Sequence, residues 1–174
     1  MLRNFPLQRW TERQFQFGYT TTSIPSLTER LSSTAPRIEE LVAFCEEPQL
    51  AYKPGGKWSV KEHIGHLTDL ETLHAGRLDD FENGLKILRA ADMTNQKTEE
   101  ADHNARDLAA LCTAFRLARI AFFEKLDALE QSVFEHRALH PRLNQMVNIA
   151  DILYFVAEHD NHHLTIISRQ LSAG

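Results

Sequence analysis

Apolar residues recur at helical spacing in four stretches of the chain. The first runs from about Ile24 to Phe44, with Leu27, Leu31, Ile38, Leu41 and Val42 on one face. Pro36 is expected to kink or restart it, with Thr34 placed to cap the restart. The turn chemistry of EEPQLAYKPGGK, residues 46–57, ends it. The second helix opens at Ser59-Val-Lys-Glu62, a capping box in which serine and glutamate satisfy each other's free backbone N–H. It runs to about Asn83, where Gly84 stops it. The third, about Asn104 to Leu129, has the most regular stripe: Leu108, Leu111, Cys112, Phe115, Ile120, Phe122, Phe123, Leu126 and Leu129. The fourth spans about Gln145 to Leu171, with Ile149, Leu153, Val156, Ile167 and Leu171 facing inward.

Between the second and third helices, LKILRAADMTNQKTEEAD at 85–102 loses the period and is long for a connection in a compact domain. In a bundle such a segment is a crossover between helices that are not hairpin neighbours. Residues 130–144, with His140-Pro141, read as a loop, and no run alternates like a strand bounded by turn residues. The expected fold class is therefore all-α: a four-helix bundle with a long crossover between helices 2 and 3. The length of 174 residues suits one domain, 1–174, with residues 1–22 as an N-terminal arm.

Composition narrows the function classes. Hydrophobic residues make up 43% and charged residues 25%, as in an ordinary folded chain. With a net charge of −5 and no dense Lys/Arg cluster, nucleic acid is not an expected partner. Neither a signal-peptide run nor an apolar stretch of spanning length occurs, so no membrane partner is expected and a cytoplasmic location is. Cys45 and Cys112 cannot form a disulfide framework, and both fit as small buried hydrophobes in a reducing compartment.

Chemistry concentrates in AEHDNHHLTI, residues 157–166. At 100° per residue, His163 falls inside the apolar stripe of the fourth helix. His159, a turn earlier and about 40° away, lies on its shoulder, while His162 turns towards solvent. Side chains at i and i+4 can close on one metal ion. The pair alone is weak evidence, since His136 and His140 share the spacing. A third ligand is needed, and the second helix offers His63, His66 and His74. Its stripe of Ile64, Leu67, Leu70, Leu78 and Phe81 ranks His63 above His66, but the unknown rotations of the two helices leave the choice open.

KWSVKEHIGHLTDLE at 57–71 resembles the Trp-Ser, Glu and His-Leu pattern that opens the second helix of the DinB-like, YfiT-like superfamily. The closing AEHDNHHLTIISRQL resembles its last helix, and HPRLNQ the loop before it; the likeness covers about 24–171. The resemblance implies a crossover four-helix bundle holding one divalent metal, zinc or nickel, on His66, His159 and His163. It further implies a homodimer and a small-molecule substrate, with activity as a metal-dependent hydrolase or as an S-transferase using a low-molecular-weight thiol. Three neutral imidazoles leave an ion with open positions, which can acidify water or hold a thiol as thiolate.

Glu62, one turn before His66, is a candidate to orient it, although the capping box already accounts for it. Asp160, beside the expected ligands, is a candidate general base or the partner of a buried arginine. His140 and Arg142 are candidate substrate contacts, and Trp10 and Phe15 candidates to cover the bundle. Two rivals come from other classes. One is a metal-binding or stress-associated interaction module without turnover. The other is a ferritin-like di-iron bundle built on Glu71-x-x-His74 and Asp160-x-x-His163. An enzyme should show an open coordination side beneath a cavity carrying further polar groups; a binding module should show a closed site.

Overall fold

The computed structural model describes residues 5–172, so residues 1–4 of the expected N-terminal arm lie outside the described residues. The first apolar stretch folds as α1 (Ile24–Ser32) and α2 (Thr34–Val42). Pro36 has no N–H to offer the Ser32 carbonyl and its ring crowds that carbonyl, so the helix restarts with the proline in its first turn. Thr34, expected as the cap, lies one residue too late: Ser33 holds the N-cap position, and Thr34 is already inside α2. A short α3 (Glu47–Ala51) sits in the following loop.

The capping box starts α4 (Val60–Glu82), with Glu62 N donating to Ser59 Oγ at 3.1 Å and Ser59 N to Glu62 Oε2 at 2.8 Å. Gly84, at φ 64°, follows the C-cap Asn83. The crossover contains the single-turn α5 (Gln96–Glu100) and leads to α6 (Leu108–Asp127), capped by Asp107. Ile120, expected to face the core, is 46% exposed. A small antiparallel hairpin joins β1 (Ala138–His140), inside the segment read as all loop, to β2 (Gln145–Val147), which takes the expected start of the fourth helix, with Leu139 opposite Met146. Three-residue strands are too short to display alternation, which is why the pattern missed them. The crossover runs beside β1 in parallel, through Leu88 N to Leu139 O (3.0 Å) and Leu139 N to Lys86 O (2.8 Å).

The last helix, α7 (Ile149–Ser172), begins after its expected Gln145, because Asn148 and Asp151 form their own reciprocal cap. Asp151 N donates to Asn148 Oδ1 (2.9 Å) and Asn148 N to Asp151 Oδ2 (3.2 Å). The other Asp151 oxygen accepts from Gly18 N and Tyr19 N, tying the N-terminal arm to the start of α7.

Two apolar clusters fill the bundle. One contains Leu31, Leu78, Phe81, Phe122 and Val156; the other Ile38, Ile64, Leu67, Leu111, Phe115 and Leu164. Positions on α4 and α6 ascend together from the second cluster to the first, so these packed neighbours are parallel, and the crossover must carry the chain back along the bundle. The paired α1 and α2 and the C-terminal α7 run the opposite way. Between the clusters lies a polar layer with one residue from each long helix: Thr34, Glu71, Arg119 and Asp160. Arg119 donates from Nε and Nη2 to Glu71 Oε1 (3.1 and 2.7 Å), and from Nη1 to Asp160 Oδ2 (2.8 Å) and the Leu31 carbonyl (3.1 Å). Thr34 Oγ1 donates to Asp160 Oδ2 at 2.8 Å.

Candidate metal centre

Four buried histidines meet where α4 packs on α7. His66 and His63 come from α4, His159 and His163 from α7. One ring nitrogen from each of His66, His159 and His163 lies within 4.8 Å of the others, and among the described residues no other trio of His, Cys, Asp or Glu does so. His163 Nε2 is 3.1 Å from His159 Nε2, and its Nδ1 is 2.8 Å from His63 Nδ1. His66 Nδ1 meets Thr98 Oγ1 of α5 at 3.1 Å, and that hydroxyl donates to Asp69 Oδ2 at 2.9 Å.

The electrostatics follow from burial. It pushes His63 and His66 down to about 4, neighbouring imidazoles adding to the effect at His63, and pushes His159 and His163 well below the ordinary histidine range. All four are therefore neutral near pH 7, the form that offers lone pairs. Among the described residues no carboxylate hydrogen-bonds any of their rings directly, so the cluster is not a set of acid-paired core histidines. Trp58 covers His66 (centroids 4.6 Å apart) and Trp10, from the N-terminal arm, covers His159 (4.9 Å). His162, expected in solvent, is half-buried because Trp10 also lies over it, at 5.7 Å.

The two expected acidic helpers sit elsewhere. The carboxylate of Glu62 is engaged by Ser59 N and by the Lys53 ammonium (2.7 Å), so it does not orient His66; Thr98 occupies that place. The hydrogen-bonded oxygen of Asp160 serves Arg119 and Thr34, which makes it the buried-arginine partner rather than a base aimed at the histidines. The Arg119 guanidinium stands between Glu71 and Asp160, where a di-iron site would need cations on both carboxylates. The structure thus gives Glu71 and Asp160 to an arginine, and the histidine trio includes neither of them.

A cavity of about 290 Å³ opens from the histidine cluster along α4, walled by Leu70, Leu73 and Phe155 and by Asp92 and Met93 of the crossover. His140 and Arg142 of the hairpin reach it, as do His74 and Arg77. Sequence reasoning missed Thr98, Asp69 and Arg77. Asp69 and Thr98 lie on different elements with no shared spacing, whereas Arg77 was in principle legible, three residues after His74 on the same helix.

A crossover four-helix bundle with a buried imidazole cluster on two facing helices is the class that this fold and site define. The family model of the DinB superfamily matches residues 10–167, and the chain belongs to that superfamily. Among solved structures, YfiT from Bacillus subtilis matches with a TM-score of 0.75 at 17% identity, over 92% of this chain and 94% of that one. It is described as "a probable metal-dependent hydrolase with an unusual four-helix bundle topology", and at this identity the likeness is one of fold. No curated protein matches the chain.

Proposed function

We propose that the protein is a metal-dependent enzyme acting on a small molecule, with one divalent ion held by His66, His159 and His163. The observation that carries this reading is the trio of buried, neutral imidazoles converging within 4.8 Å at the floor of a cavity. With the Nδ1 atoms of His66 and His163 engaged by Thr98 and His63, their Nε2 atoms are left for the ion. The Thr98–Asp69 relay and His63 would fix the two rings in place, the usual office of groups just outside a metal's ligands. An all-imidazole donor set suits zinc or nickel. The ion would lower the pKa of water or hold a thiol as thiolate.

The rest of the cavity supports hydrolysis or thiol transfer over covalent catalysis by the protein. Its lining contains no cysteine, serine or lysine, its one aliphatic hydroxyl is on the exposed Thr11 of the arm, and the carboxylate of Asp92 already accepts from Thr94 and Gln96. Cys112 lies outside it, and burial pushes its thiol up to about 11. The nucleophile therefore comes from outside, as water or a diffusible thiol. An open cavity with further polar groups favours turnover over a closed, purely binding site.

The test is metal content per chain by mass spectrometry on natively purified protein and on alanine variants. About one ion per chain is expected, lost in His66→Ala, His159→Ala and His163→Ala and retained in His74→Ala. His63→Ala should keep the ion with weakened affinity, about 10-fold or more, as for loss of an orienting neighbour. Protein that takes up no divalent metal by equilibrium dialysis would end this reading.

A further inference from the structure

Towards Arg77 the cavity wall carries hydrogen-bond donors without acceptors, with Arg77 on α4 and Arg142 beside the Trp10 and Phe155 rings. Arg77 is 1% exposed, yet it has no carboxylate within ion-pair distance among the described residues; its one hydrogen bond is from Nε to the Arg89 carbonyl at 3.3 Å. The nearby Asp80 does not serve it, because both of its oxygens are taken by the backbone N–H and guanidinium of Arg89. Arg142 Nη2 is buried without a partner. At His140, Nδ1 accepts from Leu143 N at 3.3 Å, so the ring proton sits on Nε2, which is buried and unpartnered. Nearby carboxylates are spoken for, since the one acid on the cavity wall, Asp92, is already bonded to Thr94 and Gln96.

A buried guanidinium with no carboxylate in contact is costly, and further cations near it add repulsion. Burial disfavours the charge on Arg77; Asp80, although bonded to Arg89, offsets part of that, and Arg142 and Arg89 oppose the charge further. An apolar core residue would be more stable at position 77, so the donors make sense as a preformed seat that a ligand completes. We propose that this side of the cavity binds an anionic oxygen group, a carboxylate or a phosphate, carried by the substrate. From His66 to Arg77 the helix rises about 16 Å, with Leu70 and Leu73 between them. The substrate then places its reacting end at the histidine trio and its anionic group on the side of the cavity between Arg142 and Arg77. This rests on reading the cavity as a substrate site, but the anion seat itself does not need the metal.

Inorganic phosphate and benzoate are the probes, titrated separately by calorimetry at constant ionic strength into the full chain after chelator treatment. The same titrations are run on His66→Ala, Arg77→Met and Arg142→Met. Wild type and His66→Ala should bind one equivalent of at least one probe, and the tighter of the two identifies the group. Arg77→Met and Arg142→Met should each weaken binding about 10-fold or more, as expected for loss of a charge-assisted hydrogen bond. Arg77→Met should also melt at a higher temperature than wild type without probe, and keep its metal content, which separates a lost anion seat from a lost fold or metal site. Equal affinity in wild type and both arginine variants, or no binding by wild type into the tens of millimolar, overturns the proposal. Retained binding in His66→Ala would support the anion seat even if the metal reading fails.

Discussion

Arg119 is nearly enclosed, and what it holds is two carboxylates that pair with no other cation among the described residues. Burial raises the pKa of Glu71, with the guanidinium pulling it back, so the arginine is what allows two acids to share one layer. Arg119→Leu should therefore destabilise the protein by about 3–5 kcal/mol in urea unfolding, the cost of leaving buried charge uncompensated. The histidines make the opposite kind of statement about charge. In the unfolded chain His63 and His66 take up protons near 6.5, but in the folded protein only near 4. As the pH falls, the unfolded state is protonated first, and stability drains away between about 6.5 and about 4. One such shift is worth on the order of 3 kcal/mol. Thermal melts of chelated protein across that range should show a steep fall in Tm, and a flat profile would mean that the rings are far more hydrated than their burial implies.

At the scale of elements, much was legible where a signal is local. The α4 capping box and the glycine that ends the helix read directly from the sequence, and the broken first helix follows from one proline. The α7 cap at Asn148 and Asp151 carries a comparable spacing but was hidden behind apolar residues that extend the period upstream into β2. The two α7 histidines of the cluster were legible because they share a helix face. The choice between His63 and His66 was not, because it depends on how two helices are rotated against each other. The structure brings both into the cluster: His63 meets His163 Nδ1, and His66 stands with His159 and His163. What locks the crossover against α4 was equally invisible. Gly65 has no side chain because the His103 ring lies there: a Cβ would fall 2.2 Å from it. His103 Nε2 lies 2.9 Å from Asp69 Oδ2, the oxygen to which Thr98 donates. Gly65→Ala should thus displace His103 and destabilise the protein by about 1–3 kcal/mol despite alanine's higher helix propensity. It should also weaken metal binding through Thr98, measurable by competition with a chromogenic chelator.

Over the whole molecule, no described helix is long and apolar enough to cross a membrane, and the histidine cluster sits beside the polar layer that divides the core. An all-apolar bundle can slide: one helix shifted by a turn, about 5.4 Å, still meets leucines. Here that shift would strand a carboxylate among hydrocarbon, because Thr34, Glu71, Arg119 and Asp160 match at one height only. The layer thus works as a vernier, setting the axial alignment of α4 against α7 without touching the cluster they jointly build. Replacing Glu71, Arg119 and Asp160 together by leucine or methionine should restore the stability lost in Arg119→Leu, yet leave metal affinity below wild type. The spacing between ligands on separate helices would then be inherited from a salt bridge that never meets the ion.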